Sequence, residues 1–159
     1  MILSEPDLVR WGRRIGEEVG TPVVLALRGP LGAGKSVLAR AVARGAGVAS
    51  WIPSPTFNLL FRYPASRGRE VVHLDLYRLV DPAELWEVGW EEVGGPGDIV
   101  LVEWAGKAGP LLQRDRWDVE LHLLPGRPDL REVEVTRAGE PLPLPLPGAS
   151  VPAARDGLR

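Results

Sequence analysis

Gly29-Pro30-Leu31-Gly32-Ala33-Gly34-Lys35-Ser36 is the stretch whose reading decides the fold. It satisfies the pattern G-x-x-x-x-G-K-[ST] and stands between a short apolar run, residues 23–27, and residues 35–46, which carry helical apolar spacing. Each residue type serves a purpose there. Glycines let the backbone turn tightly and aim successive N–H groups at phosphate oxygens. The helix that begins near Lys35 adds free N–H groups and the positive end of its dipole. The Lys35 ammonium reaches the phosphates, and the Ser36 hydroxyl takes one Mg2+ position. A plain glycine-rich turn is the bland alternative; the strand before and the helix after argue against it. The expectation is a site for ATP with Mg2+.

Working outward, Ser4 reads as a helix N-cap, with Pro6 in the first turn and Asp7 three residues on. Leu8, Trp11, Ile15 and Val19 then form one apolar stripe, ended by Gly20-Thr21-Pro22. Downstream, residues 50–56 are turn-like, and residues 58–63 and 70–75 read as strands around a polar loop. Asp81-Pro82 opens a helix through residue 88, and residues 98–103 form a second buried strand. Residues 117–124 and 131–137 read as an antiparallel hairpin at a sheet edge, since Val119, Leu121 and Leu123 alternate. The fold class expected is α/β: a single P-loop NTPase domain over residues 1–137. Its central mixed sheet is parallel around the P-loop, antiparallel in the C-terminal hairpin, and flanked by helices. From Ala138 on, Pro141, Pro143, Pro145, Pro147 and Pro152 rule out a helix or a central strand. Residues 138–159 are expected to be an extended, disordered tail.

The bulk numbers narrow the function classes. A chain of 159 residues that is 45% hydrophobic makes one domain with its own core. It contains no cysteine, which removes thiol catalysis, disulfides and zinc–cysteine sites. A formal charge of −2 offers no bulk attraction for nucleic acid. Lys35 and Lys107 are the only lysines in an Arg-rich chain, which makes the placing of Lys35 more telling. No basic n-region with an apolar run opens the sequence, and no stretch nears the ~18 apolar residues of a membrane span. A cytoplasmic protein is expected.

A P-loop site needs a carboxylate on the metal side and a group that positions the attacking water. Two acids stand where strands deliver them: Glu103 closes Ile99-Val100-Leu101-Val102, and Asp75 closes Val71-Val72-His73-Leu74. Ligands of open α/β sheets bind beyond the carboxyl ends of strands, so both acids are candidates. Spacing alone does not say which holds metal and which orients water. Ser54-Pro55-Thr56-Phe57 lies where other P-loop proteins keep a γ-phosphate sensor, although Ser-Pro-Thr is also ordinary turn material. Trp104 and Tyr77 stack on a base, anchor a partner or pack the core. His73 alternates with Asp75 and reads first as a hydrogen-bonded structural residue.

These motifs, in this order, resemble the TsaE (YjeE) family, the small ATPases of bacterial tRNA threonylcarbamoyladenosine biosynthesis. The resemblance rests on the phosphate loop, Ser54-Pro55-Thr56-Phe57, His73-Leu74-Asp75-Leu76-Tyr77-Arg78-Leu79 with Asp81-Pro82, and Glu103-Trp104, and it spans residues 1–137. It implies that Gly32, Ala33, Gly34, Lys35, Ser36 and Val37 wrap the ATP phosphates, while Ser36 and Glu103 hold Mg2+. It implies that Thr56 belongs to a switch-like catalytic loop, that Asp75 lies at the nucleotide near the γ-phosphate, and that Ser4 reaches the nucleotide. The implied partners are two proteins, TsaD-like and TsaB-like, one of which carries the metal site that transfers the threonylcarbamoyl group. The implied role is an ATPase that resets that complex and meets tRNA only indirectly. One departure stands out: the family's second acid after Glu-Trp is replaced here by Gly106.

Two other readings share the P-loop. A small-molecule or nucleotide kinase needs an acceptor pocket and an Arg-bearing lid; Arg114 and Arg116 are the candidates, and no lid-sized insertion is visible. A non-hydrolysing ATP-binding module is kept open by the missing second acid. A GTPase lacks support, since no Asn-Lys-x-Asp run is present.

Overall fold

A computed structural model describes residues 1–50, 52 and 59–148. Thr56 and the rest of Ser54-Pro55-Thr56-Phe57 therefore lie outside the described residues. Seven strands form one sheet: β1 (Ile2–Ser4), β2 (Val23–Arg28), β3 (Leu60–Pro64), β4 (Glu70–Asp75), β5 (Asp98–Glu103), β6 (Arg116–Leu124) and β7 (Arg127–Ala138). Their order is β1-β7-β6-β2-β5-β4-β3. β2 runs parallel to both β5 and β6, and β4 runs parallel to β5. The mixed α/β sheet is the expected one.

The apolar runs explain the centre. β2 and β5 are buried along nearly their whole length because both sheet faces are covered. On one face Val23, Leu25, Leu27, Ile99 and Leu101 pack under α1 (Glu5–Glu18) and α2 (Lys35–Gly45). On the other, Val24, Ala26, Val72, Leu74, Val100 and Val102 pack under 3-10 turns at Pro82–Val88, Trp90–Glu92 and Ala105–Leu111. The two α-helices lie together because glycine allows it. A Cβ on Gly16 would stand 2.0 Å from the Val42 carbonyl oxygen, and one on Gly45 would stand 1.9 Å from that of Arg13.

Two expectations change. The hairpin of β6 and β7 is antiparallel, but it is not a sheet edge: β6 pairs with β2, and β1 covers β7. Three residues, Ile2–Ser4, are too few to show a strand period in the sequence. The element after Asp81 is 3-10 rather than α, capped by Asp81 with Glu84 and stopped after seven residues by Gly89 at φ 81°.

The tail also departs from expectation in its described part. Residues 139–148 form neither helix nor strand, yet they lie against the domain, with Leu144 buried. Alternating prolines remove N–H donors but keep their carbonyls. Trp11 Nε1 donates to Pro145 O at 2.7 Å, and Trp117 Nε1 to Leu142 O at 2.9 Å. Among the described residues no helix is long and apolar enough to cross a membrane.

Candidate functional site

The phosphate-loop sequence connects the end of β2 to the first turn of α2. Gly29, Gly32 and Gly34 have φ of 134°, 79° and 108°, values that L side chains rarely adopt. Space is short as well: a Cβ on Gly29 would meet the Leu121 carbonyl oxygen at 2.3 Å. Gly34 caps α2 with no side-chain hydrogen bond, so the N–H groups of the first turn have no capping acceptor there. That is the arrangement an anion uses.

Lys35 is buried at 5% exposure. Its Nζ donates to Gly29 O at 2.6 Å and Pro30 O at 2.8 Å, and it lies 4.1 Å from the centroid of the Trp104 ring. Burial pushes the Lys35 ammonium below its ordinary pKa, against the pull of the Glu103 and Asp75 carboxylates. Trp104 reaches this place through a left-handed backbone, φ 55°, rare for a bulky residue. Its ring also meets Tyr77, centroid to centroid at 5.0 Å.

The two strand-end acids are neighbours. Asp75 and Glu103 are direct partners in the register of β4 and β5, and β5 adjoins β2. Glu103 is 2% exposed, and its Oε2 accepts the Ser36 hydroxyl at 3.1 Å. Its other oxygen, Oε1, stands 3.4 Å from His73 Nε2, and both of these buried atoms lack a hydrogen-bond partner. Burial alone would raise the Glu103 carboxyl; His73, the Ser36 hydroxyl and the Lys35 ammonium outweigh it and hold the group below its usual pKa. Asp75 goes the other way. Its burial, opposed by the Tyr77 N–H on Oδ1 at 3.0 Å and reinforced by the charge of Glu103, lifts it above the usual carboxylate value.

Lys35, Ser36, Asp75 and Glu103 are thus gathered at one end of the parallel strands, with His73 behind Glu103. A hydroxyl and an ionised carboxylate 3.1 Å apart, with one carboxylate oxygen unsatisfied, form a hard-oxygen donor set of the kind Mg2+ takes. Ser4 lies elsewhere in its bonding: it caps α1, its Oγ accepting the Asp7 N–H and donating to Asp7 Oδ2. An open cleft of ≈300 Å³ beside the loop is lined by Arg28, Gly29, Trp104, Gly106, Lys107 and Glu120 among others. A side chain at Gly106 would project onto Arg28, its Cβ 3.0 Å from Nη1. Arg28 is compensated without an acid there, since its Nε and Nη2 both reach Asp118 Oδ1 at 3.2 Å.

The TsaE family profile, described as threonylcarbamoyl adenosine biosynthesis protein TsaE, matches residues 2–128. The chain belongs to the TsaE family. It is 34% identical over 116 residues to the tRNA threonylcarbamoyladenosine biosynthesis protein TsaE of Haemophilus influenzae, covering 70% of this chain and 73% of that one. The TsaE of Treponema pallidum is 33% identical over 123 residues, 76% of this chain and 88% of its own. Among solved structures, YdiB of Bacillus subtilis superposes with a TM-score of 0.68 at 25% identity, over 87% of this chain and 84% of YdiB.

Sequence reading undervalued two residues of this TsaE site. His73 was legible as a same-face neighbour of Asp75, but its approach to Glu103 depends on β4 lying beside β5. Arg131, on the same inward face of β7 as Val133, was not singled out in the sequence.

Proposed function

We propose that this chain is a Mg2+-dependent ATP-binding and ATP-hydrolysing accessory protein for the N6-threonylcarbamoyladenosine modification of tRNA. The observation that carries the reading is the Ser36–Glu103 hydrogen bond at the mouth of a glycine loop that opens α2. Membership of the TsaE family supplies the pathway.

In this reading the backbone of Gly32, Ala33, Gly34, Lys35, Ser36 and Val37 wraps the phosphates, and the Lys35 ammonium exchanges the Gly29 and Pro30 carbonyls for phosphate oxygens. Ser36 and Glu103 hold Mg2+, which when bound neutralises charge on the transferring phosphoryl group. Asp75, whose Oδ1 is already engaged by the Tyr77 N–H, orients the attacking water with Thr56. Ser4 reaches the nucleotide from the start of α1. The chain works in the cytoplasm with TsaD-like and TsaB-like partners and does not itself modify tRNA.

Hydrolysis by the isolated chain is slow and rises with both partners, because nothing like a kinase catalytic loop is evident in the sequence. An arginine supplied in trans raises turnover ~10³–10⁵-fold in related systems. Steady-state phosphate release at saturating ATP tests this, for the chain alone, with each partner and with both. A rise confined to the full mixture is expected; a flat response with the complex confirmed would leave an ungated ATPase. A kinase would instead consume ATP in proportion to a phosphorylated acceptor.

A further inference from the structure

Behind the phosphate loop sits a charged residue to which neither the family match nor the proposed chemistry gives a role. Arg131 lies past the matched residues 2–128, on an inward position of β7, and is 8% exposed. Its Nε donates to the Ala33 carbonyl at 3.0 Å, and its Nη1 donates to the Pro128 carbonyl at 3.0 Å. Its Nη2 stands 3.9 Å from Glu5 Oε2 in the first turn of α1. One guanidinium thus ties the loop to the hairpin turn and to the start of α1.

We propose that Arg131 is a positioning residue for phosphate binding: by holding the Ala33 carbonyl, it sets the direction of the Gly34 N–H. The step from one to the other is geometric. The Ala33–Gly34 peptide is trans, since Thr21-Pro22 is the cis bond recorded among the described residues. In a trans peptide the C=O and the following N–H point in opposite directions in one plane. A carbonyl anchored on Arg131 therefore turns the Gly34 N–H away from Arg131. The back of the loop is closed by the same residues. A Cβ on Gly34 would meet Leu8 Cδ2 at 3.0 Å and Arg131 Nε at 3.4 Å. Gly34, at φ 108°, has an intrinsically loose backbone, so an external tether is what fixes its peptide plane before a phosphate arrives. A donor already aimed spares binding the cost of ordering it.

This inference rests on the ATP-binding reading, and two substitutions separate it from a role in charge or packing. In Arg131→Lys a methylene takes the position of Nε, so the positive charge stays and the Ala33 donor is lost. In Arg131→Gln the amide nitrogen takes that position, so the donor stays and the charge is lost. Titration of each variant with Mg-ADP in a calorimeter is paired with the Gly34 amide resonance in 15N spectra. Arg131→Lys is expected to bind roughly tenfold more weakly, the worth of one hydrogen bond, with a diminished Gly34 shift on ADP addition. Arg131→Gln is expected to stay within about threefold of wild type and to keep the shift. Wild-type affinity in Arg131→Lys, or equal weakening in both variants, would overturn the inference while leaving the ATP site standing. Failure of both variants to fold would also overturn it, marking Arg131 as a structural strut. No Mg-ADP binding by the wild-type chain would instead defeat the underlying reading.

Discussion

Ser36 Oγ and Glu103 Oε2 lie 3.1 Å apart, joining the first turn of α2 to the last residue of β5 across 67 positions of sequence. The bond holds a hydroxyl and a buried carboxylate face to face beside the loop. Asp75, the register partner of Glu103, is engaged differently, its Oδ1 accepting the Tyr77 N–H at 3.0 Å.

Glu103→Ala and Asp75→Ala are expected to differ in kind. With Glu103 holding Mg2+ as proposed, its loss should weaken Mg-dependent nucleotide binding about a hundredfold, along with turnover. Loss of Asp75 should leave binding within a few fold and reduce phosphate release by roughly 10²–10⁴, the usual worth of a positioned base. Calorimetry with and without Mg2+, beside single-turnover hydrolysis, reads both. Wild-type turnover in both variants would remove the case for the acids.

Lys35→Ala should cost about 2–3 kcal/mol of ATP affinity, close to a hundredfold, since a buried cation is lost from the phosphate side. Because Lys35 lies over the Trp104 ring, tryptophan emission should change in the same variant before any nucleotide is added. Near-native ATP affinity would contradict the assignment of the loop.

Ser4→Ala should lower stability by about 1 kcal/mol at neutral pH, the usual worth of an N-cap. The Ser4 side chain, then its backbone N–H, hold Asp7 below the ordinary carboxylate pKa, against a small opposing effect of burial and with help from Arg10. A carboxyl lowered by folding stabilises fully above its unfolded value near ~3.9, and that contribution fades as pH falls through the folded value. The gap in denaturant midpoint between wild type and Ser4→Ala is therefore expected to shrink below about pH 4. A gap that widens on acidification would count against the capping box.

A chain ending at Ala138 should lose about 2–4 kcal/mol, since Leu144 no longer covers the core and two indole N–H groups lose their acceptors. Red-shifted tryptophan emission from Trp11 and Trp117 is expected with it. Unchanged stability and emission would show that the strap contributes nothing.

Much of this was legible one segment at a time. The stripe of Leu8, Trp11 and Ile15 and the Ser4 cap are patterns within a dozen residues, and burial follows them; of the alternating Val119, Leu121 and Leu123, the first two are buried and Leu123 is 46% exposed near the end of β6. The phosphate loop is legible for the same reason, because its glycines, Lys35 and Ser36 act within one turn. The hairpin was legible as a hairpin and not as an interior element, because its cover, β1, is too short to carry a period.

By itself the sequence determined which residue types stand at the ends of β2, β4 and β5, and that α2 opens without a side-chain cap. Those features are set by local backbone preference and by the two periods of buried strand and amphipathic helix. Tertiary structure alone decided what those residues touch. Parallel pairing of β4 with β5 brings His73 to Glu103, and β7 brings Arg131 to Ala33 over 98 residues. The proline-rich strap finds Trp11 and Trp117 in the same way. Contacts at such separations are fixed by which strands pair and which faces are covered. That is a property of the whole packed sheet, and no window of the chain contains it.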